Sequence, residues 1–323
     1  MMTKVVYILV SSPADYYTEQ TVFSMASLRK HNPAAKVTLV CDRETHGSLA
    51  GTRALVKEMT DEVIVRDFPE TIDPKRRSRI LKTTLREIVS GDYLFLDSDT
   101  VVCRSLEEID SCDFQLGMAY DCNRKSLLDD SDRDTIERCS KICDASIKGM
   151  PYFNSGVILA RDTAEVHSFY HEWHKEWDVS QRAGVVLDQP ALCIANINSG
   201  LMIGQLDASW NSQIKYSGFP EKARIIHYFN PSSGLESHDS PAAFFIFEEI
   251  RRHGLKAPYL TELLERPYDA LSVLLQIKKD SLGSYCSRDL LVLWFSSPRL
   301  TRWLEKIALL KKWHRKYVSM VVR

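Results

Sequence analysis

The sequence has no pair of cysteines with the Cys-x-x-Cys spacing, although it contains eight cysteines among its 323 residues. The spacing that would indicate a zinc site or a redox pair is therefore missing. In a chain of this size, scattered cysteines favour reduced thiols in a cytosolic protein over a disulfide framework.

Long apolar segments are missing as well. The first run, Val5 to Val10, is stopped by Ser11-Ser12-Pro13 and is too short for a signal-peptide core, so it predicts a first strand. The longest run near the C-terminus, Leu290–Phe295, is far shorter than the roughly 20 residues that cross a bilayer. The sequence shows no internal repeat and no low-complexity linker. Neither a membrane span nor a repeat architecture is expected.

The overall composition is ordinary, with 44% hydrophobic and 26% charged residues, which suits a large α/β core with an appendage. The net charge of -1 conceals a basic end. Between Arg299 and Arg323, eight basic residues stand against a single acidic one, Glu305. A basic end on an acidic body indicates an anionic surface as partner, either a membrane or a nucleic acid.

The first hundred residues alternate between short apolar runs and helical patterns. The expected strands are Lys4–Val10, Val37–Cys41 and Glu62–Val65, and the expected helices are Thr18–His31, about Leu49 to Met59, and Pro74 to Val89. Strands that alternate with helices imply βαβ units. The sequence therefore predicts an α/β fold of Rossmann-like type, with a mostly parallel sheet flanked by helices.

A fourth strand leads directly into two acidic residues. Tyr93–Leu96 is uniformly apolar, which is typical of a strand buried on both faces, and Asp97-Ser98-Asp99 follows it. The carboxyl edge of such a sheet is where open α/β folds bind ligands, and a turn at Ser98 would let both carboxylates serve one site. Their oxygens suit Mg²⁺ or Mn²⁺ together with substrate phosphates. The alternative is a solvated acidic turn.

Two further patterns near the same edge have both a functional and an ordinary interpretation. The loop that leaves the first strand, from Ser11 to Tyr17, offers an aromatic ring that could stack on a base and small polar groups that could bond to its edge. Arg79 and Lys82, three apart on one helix, could both reach a diphosphate. The ordinary interpretations are an exposed tyrosine pair and a solvated basic helix face.

The second half of the chain adds polar residues next to apolar strands. Asn154, Ser155 and Gly156 are expected to form a polar turn that feeds an apolar strand. Asp188 and Gln189 open a helix, and His227 ends a strand near Ile225. The helix that carries His167, His171 and His174 lacks zinc spacing, so it is expected to be an amphipathic packing helix.

The order of these motifs resembles the family 8 glycosyltransferases, which have the GT-A fold, over roughly residues 4–235. The resemblance implies metal ligands at Asp97, Asp99 and His227, and a reacting-sugar pair at Asp188 and Gln189. It implies further contacts to the nucleotide sugar from Ser11, Tyr17, Arg79, Lys82, Ser98, Asp121, Asn154 and Ser155. Of these, Tyr17 falls at the position that stacks on uracil, and Asp121 at one that holds a sugar hydroxyl. This sequence departs from the family after His227, where no lysine follows.

The resemblance implies a metal-dependent retaining glycosyltransferase. It would use Mn²⁺ or Mg²⁺ to move a hexose, from UDP-glucose or UDP-galactose, to a glycan or glycolipid acceptor in surface polysaccharide synthesis. One alternative is a phosphatase of the haloacid dehalogenase type, with Asp97 as the nucleophile. Another is a non-catalytic sugar-binding or membrane partner subunit. A nucleotide-sugar pyrophosphorylase would need a glycine-rich, lysine-bearing loop after the first strand, which this sequence lacks.

The basic C-terminal segment predicts where the protein lies in the cell. Leucine and tryptophan residues interleave with the basic residues at helical spacing, which is typical of an interfacial helix on anionic lipid rather than a nucleic-acid contact. The predicted organisation is a transferase domain over residues 1–258 and a helical, basic, membrane-proximal region over 259–323. The protein would then lie in the cytoplasm, on the inner face of the cell membrane. The alternative is a helical hairpin packed on the body.

Overall fold

The computed structural model describes residues 1–123, 128–129, 132–143, 147–213, 222–228, 241–257, 260–265 and 267. The basic segment from Arg299 onward lies outside these residues, so the division at 258/259 and the membrane-facing helix stay predictions. Among the described residues, no helix combines the length and the apolar character needed to cross a bilayer.

The described residues contain ten strands, which form two sheets. Their bounds are β1 (Lys4–Leu9), β2 (Val37–Asp42), β3 (Glu62–Arg66), β4 (Tyr93–Leu96), β5 (Thr100–Val102), β6 (Leu116–Tyr120), β7 (Phe153–Ala160), β8 (Gly204–Gln205), β9 (Ser212–Gln213) and β10 (Ile225–His227). The main sheet has the order β3-β2-β1-β4-β7-β6-β8, and a small sheet has the order β5-β10-β9. The α/β prediction is confirmed.

The main sheet is parallel from β3 to β4 and changes direction at β7. Strand β7 runs antiparallel to both of its neighbours, β4 and β6, whereas β8 is parallel to β6. Because of this reversal, β7 begins at the edge where β4 and β6 end. The start of β7 therefore lies beside the ends of β4 and β6, and this is the edge that carries the polar residues of the site.

Ten α-helices flank the sheets in the part of the chain that the structure describes. They are α1 (Tyr17–His31), α2 (Arg43–Ser48), α3 (Leu55–Glu58), α4 (Pro74–Thr83), α5 (Leu85–Ile88), α6 (Arg133–Ser140), α7 (Ala164–Arg182), α8 (Asp188–Asn198), α9 (Pro241–His253) and α10 (Leu260–Glu265). The continuous helix expected from Pro74 to Val89 is interrupted at Thr84, whose hydroxyl bonds to Ile80 O at 2.7 Å. The helix expected from Leu49 is also shorter, since a 3-10 turn over Gly51–Ala54 precedes α3.

The core lies on both faces of the main sheet. In β1, Val5 and Tyr7 belong to one apolar cluster and Val6 and Ile8 to the other, as alternation along a strand requires. Helix α1 covers the first face, whereas α7 covers the second through Trp173 and its neighbours. Burial on both faces is what an uninterrupted apolar run predicts. The prediction that α7 is a packing helix is confirmed by its buried aromatic face.

Candidate active site

The turn between β4 and β5 brings the two aspartates of the Asp-x-Asp motif to one place. The backbone nitrogen of Asp97 donates to Gly156 O at 2.8 Å, and the Thr100 hydroxyl donates to Asp97 O at 2.8 Å, which closes the turn. Ser98 sits at the bend and accepts a hydrogen bond from the Thr21 hydroxyl at 3.0 Å. The chain therefore turns at Ser98, as predicted from the need to point both carboxylates at one site.

The small sheet delivers the histidine. Strand β10 pairs antiparallel with β5 so that His227 lies opposite Thr100, directly after Asp99. His227 Nε2 is 3.1 Å from Asp99 Oδ1, and ligand atoms of Asp97, Asp99 and His227 all lie within 4.8 Å of one another. Two carboxylates and one imidazole form a donor set that fits Mn²⁺ and also admits Mg²⁺. Residues 130 positions apart in the chain thus form one cluster.

The charges of this cluster shift the pKa values of its members. Burial alone would lower the pKa of His227, but the Asp99 charge and hydrogen bond raise it above its usual value. Burial alone would raise the pKa of Asp99, but the contact with His227 lowers it. Each residue thus favours the charged form of the other, and a metal bound here would take the place of the proton on His227 Nε2.

Two cations occupy the other side of Asp97. Lys82 Nζ is 3.1 Å from Asp97 Oδ1 and 3.6 Å from Asp188 Oδ2, and Arg79 Nε is 3.0 Å from Asp188 Oδ1. Burial alone would raise the pKa of Asp188, but the charges of Arg79 and Lys82 and a hydrogen bond from Ser155 lower it well below its usual range. Asp188 is accordingly a buried carboxylate, and it holds both cations at the site.

Asn154 and Ser155 lie in the structure where the predicted polar turn was expected, but they are not in a turn. Both belong to strand β7, and every residue of that strand is buried. The expectation of a turn is wrong because partners satisfy the polar groups inside the strand. Asn154 Nδ2 donates to Asp121 Oδ1 at 2.9 Å, and the Ser155 hydroxyl donates to Asp188 Oδ2 at 2.7 Å. A hydrogen-bonded amide or hydroxyl costs little to bury.

Asp121 and Gln189 meet beside Asn154. Gln189 lies in the first turn of α8, and its amide nitrogen is 3.3 Å from Asp121 Oδ1 and 3.3 Å from Phe153 O. Strand β6 ends immediately before Asp121, which explains how residues far apart in sequence converge here. One carboxylate therefore receives two side-chain amides.

The last two predicted residues, Ser11 and Tyr17, lie at the two ends of the segment that joins β1 to α1. Tyr17 opens α1 and is half-buried, and its carbonyl oxygen contacts the hydroxyl of Thr21, which also bonds to Ser98 between the two aspartates. Ser11 is buried, and its hydroxyl contacts Asp15 Oδ1 at 2.6 Å and Thr18 Oγ1 at 2.9 Å. The structure thus places Tyr17 beside the cluster and uses the Ser11 side chain to fix the loop.

Two residues at the site have no prediction attached to them. Asn211 is fully buried and bonds to both His227 and Asn154, and Gln213 is fully buried and bonds to the turn at Cys122. Neither belongs to a recognisable motif, since single Asn and Gln residues shortly after a tryptophan are an ordinary loop pattern. Gly156 is a third contributor, because a Cβ there would lie 2.3 Å from His227 Cε1.

One known protein family matches most of this sequence. The model of glycosyl transferase family 8 matches residues 8–232. The chain belongs to this family. It is therefore a glycosyltransferase, and the GT-A fold expected for it is confirmed. No curated protein matches the chain by sequence alone.

Solved structures of glycosyltransferases resemble the chain at low sequence identity. Glycosyltransferase GlyE of Streptococcus pneumoniae TIGR4 is 17% identical with a TM-score of 0.51, covering 86% of this chain and 66% of GlyE. The galactosyltransferase LgtC, in complex with donor and acceptor sugar analogues, is 14% identical with a TM-score of 0.49, and the match covers 87% of this chain and 100% of LgtC. Mouse xyloside xylosyltransferase 1 is 15% identical with a TM-score of 0.46, and the match covers 70% of this chain and 97% of the mouse protein. At these identities the likeness concerns the fold alone.

Proposed function

We propose that this glycosyltransferase is metal-dependent and retaining, and that it moves a hexose from UDP-glucose or UDP-galactose to a glycan or glycolipid acceptor in surface polysaccharide synthesis. One observation carries the proposal. Asp97, Asp99 and His227 converge within 4.8 Å at the sheet edge, beside a buried lysine and an ionised Asp188. Hard oxygen ligands next to fixed cations suit a metal-bound diphosphate.

The metal would be held by one oxygen of each aspartate and by His227 Nε2. Mn²⁺ or Mg²⁺ bound there would supply positive charge against the diphosphate leaving group. The metal-facing carboxylates lie at the rim, since 29% of the Asp97 side chain and 21% of the Asp99 side chain are exposed. A diphosphate can therefore approach from solvent while His227 closes the site from within.

Arg79 and Lys82 are the proposed cations for the departing phosphates. Arg79 is the more accessible of the two, with 34% of its side chain exposed against 4% for Lys82. We assign direct phosphate contact to Arg79 and a charge-balancing role behind Asp97 to Lys82. Asp188 orients both, so its own proposed part at the reacting sugar is to position charge rather than to attack.

The hexose would bind against Asp121, Asn154, Ser155 and Gln189. The Asp121 carboxylate accepts two side-chain amides and retains further lone pairs for a sugar hydroxyl. The amide nitrogen of Gln189 is taken by Asp121 Oδ1 and Phe153 O, so its carbonyl oxygen would face the oxocarbenium-like centre. Acceptor attack from the leaving-group face, with the departing phosphate as base, gives retention.

The uracil is proposed to stack on Tyr17, at the start of α1 and near Arg79. Ser98, at the bend between the two aspartates, would contact the nucleotide next to the metal. Ser11 is better suited to holding the loop, since its hydroxyl is bonded to Asp15 and Thr18. This distribution gives the base, the phosphates and the sugar successive positions along one edge of the sheet.

The residues around Asp97 also count against the two alternatives, a phosphatase and a non-catalytic subunit. Membership of family 8 argues against the phosphatase, and Lys82 bonds to both oxygens of the Asp97 carboxylate that would have to be the nucleophile. A subunit without activity would have no need to retain the metal-ligand set together with the sugar-site bonds. The lipid-linked acceptor and the inner face of the cell membrane remain proposals that rest on the basic segment after Arg299.

The test is a panel of nucleotide sugars incubated with the full chain, with Mn²⁺ or with a chelator, read as slow donor hydrolysis and as a shift in melting temperature. A ligand that binds only the native state raises the melting temperature. We expect one UDP-hexose to give both signals, in Mn²⁺ only, and to give neither with Asp99→Ala. Phosphate release from simple phosphate esters without any response to a nucleotide sugar would contradict the proposal.

A further inference from the structure

Asn211 joins the proposed metal ligands to the proposed sugar site. It ends the 3-10 turn Ala208–Asn211, which leads directly into β9, and none of its surface is exposed. Its Nδ2 donates to Asn154 Oδ1 at 2.8 Å, and its Oδ1 lies 3.1 Å from His227 Nδ1.

The direction of each of these hydrogen bonds follows from one backbone group. The nitrogen of Gly156 can only donate, and it lies 2.9 Å from the Asn154 side chain, so the atom that it meets is Oδ1. Asn211 presents its own side chain to the same oxygen and must therefore do so with Nδ2. Its Oδ1 is then left to face His227, whose Nδ1 must carry a hydrogen and donate it.

Two consequences follow for the site. His227 keeps a proton on Nδ1, where Asn211 accepts it, so Nε2, which lies 3.1 Å from Asp99 Oδ1, is the nitrogen that would give up its proton to a metal. Asn154 is fixed with Nδ2 toward Asp121 Oδ1, at 2.9 Å. A neutral imidazole can ligate a metal through one nitrogen only when the other holds the proton, and the partner of that proton orients the ring.

We propose that Asn211 is a positioning residue that sets the histidine tautomer for metal binding and the Asn154 amide for sugar binding. This inference rests on the proposed function, because it assigns Asn211 to the same metal and donor site. Gly156 assists it in two ways. Its nitrogen anchors the series of bonds, and its missing Cβ leaves the space that the His227 ring occupies.

Two substitutions separate the two effects. Asn211→Ala removes both bonds, so we expect Mn²⁺ affinity to fall about 10–100-fold, the usual effect of losing the partner of a ligating histidine. Asn211→Asp keeps an acceptor for His227 Nδ1 but offers no donor to Asn154 Oδ1. We expect it to bind Mn²⁺ within about threefold of the parent, while donor hydrolysis falls about 10–100-fold because the sugar is misplaced.

The measurement is Mn²⁺ titration followed by electron paramagnetic resonance, which reports free Mn²⁺ and needs no turnover, together with donor hydrolysis at saturating Mn²⁺. Asn196→Ala is the matched control. Asn196 is equally buried and accepts from Ile203 N at 3.0 Å, far along α8 from Asp188. We expect this control to lower the melting temperature and leave Mn²⁺ affinity unchanged.

The outcomes distinguish this inference from the function on which it rests. A loss of Mn²⁺ affinity in Asn211→Ala that Asn211→Asp restores, without restoring hydrolysis, supports it. Parent-like Mn²⁺ affinity in Asn211→Ala overturns it while the proposed function stands. Equal losses of Mn²⁺ affinity in both variants and in Asn196→Ala also overturn it, since a general loss of packing would explain them. A parent chain that binds no Mn²⁺ overturns both.

Discussion

Lys82 contacts both carboxylate oxygens of Asp97, with Nζ at 3.1 Å from Oδ1 and 3.2 Å from Oδ2. The same ammonium group lies 3.6 Å from Asp188 Oδ2 and 5.0 Å from the centre of the Phe95 ring. A buried cation in this position offsets part of the negative charge of Asp97 and Asp188, and Arg79 offsets more of it at Asp188. Lys82 also repels any second cation that approaches Asp97.

Replacement of Lys82 should therefore separate stability from metal binding. In Lys82→Met the buried Asp188 and the partly exposed Asp97 lose the cation that they share, and we expect the metal-free protein to lose on the order of 3 kcal/mol of stability. Mn²⁺ should bind more tightly, by about tenfold, because the competing charge is gone. Transfer should fall about 10²–10³-fold, as when a group that stabilises transition-state charge is removed.

Lys75→Met is the control for Lys82→Met, because Lys75 is an exposed lysine in the same helix α4. It should change none of the three quantities beyond experimental error. Urea unfolding, Mn²⁺ titration and transfer assays check the predictions together. Weaker Mn²⁺ binding in Lys82→Met would contradict the view that lysine and metal compete for Asp97.

Gly156→Ala should disable the metal site through a steric clash alone. A Cβ at this position would lie 2.3 Å from His227 Cε1 and 2.6 Å from Nδ1, so the imidazole must move. We expect Mn²⁺ affinity to fall at least about tenfold, as for a lost ligand partner. The control is Gly47→Ala. Gly47 lies in helix α2, and a Cβ at this position would meet no atom within 4 Å. That variant should gain up to about 1 kcal/mol of stability.

Isothermal titration with Mn²⁺ and a melting curve check both glycine variants. Unchanged Mn²⁺ affinity in Gly156→Ala would show that the imidazole can ligate from another position. That result would remove the argument that the glycine makes room for the ligand.

The sequence allowed much of this site to be predicted, for reasons that individual residues illustrate. An uninterrupted apolar run before Asp97 has few structural solutions, so a buried strand that ends at the sheet edge followed directly. The sequence places Asn154 and Ser155 in a turn because polar residues usually avoid buried strands, whereas both lie in β7. Their partners, Asp121 and Asp188, come from other elements. Local sequence contains no record of such long-range bonds.

Asn211 is a site residue that the sequence does not allow to be predicted at all. Nothing in the neighbourhood of Trp210-Asn211 distinguishes it from an ordinary loop. Its importance appears only when β10 places His227 on one side and β7 places Asn154 on the other. A buried amide between two candidate groups is a property of the tertiary structure.

Asp121→Asn should affect the sugar without affecting the metal. The carboxylate accepts from Asn154 Nδ2 and Gln189 Nε2, and an amide there would have to present hydrogens to one of these donors. We expect the KM for the donor sugar to rise about tenfold or more, since buried polar groups would be left unpaired. Mn²⁺ affinity in the absence of donor should stay at the parent value. Donor kinetics and Mn²⁺ titration on the same preparation check this, and a matching loss of Mn²⁺ affinity would contradict it.

The pH dependence of stability should include a contribution from Asp61, away from the site. Burial would raise its pKa, but bonds from Val37 N, Lys36 and Arg29 lower it to about 2. A carboxyl whose folded pKa is depressed stabilises the fold above its unfolded pKa near 4 and loses that effect as the pH falls toward 2. Since 35% of this side chain is exposed, screening reduces the contribution at neutral pH to about 1 kcal/mol.

Asp61→Asn should therefore be less stable than the parent at pH 7, and the gap should narrow as the pH falls from about 4 to 2. Urea unfolding across this range measures it, with the exposed residue Asp113 changed to Asn as the control. A gap that stays constant with pH would show that the loss comes from packing and not from charge.

The proposed metal–diphosphate site is tested most directly by calorimetric titration of UDP into the full chain in the presence of Mn²⁺, in the presence of a chelator, and with Asp99→Ala. If Asp97, Asp99 and His227 hold a metal that binds the diphosphate, UDP will bind in Mn²⁺ and lose at least about tenfold in affinity in the other two conditions. UDP binding of equal strength in all three conditions, or no binding in any, would contradict the account.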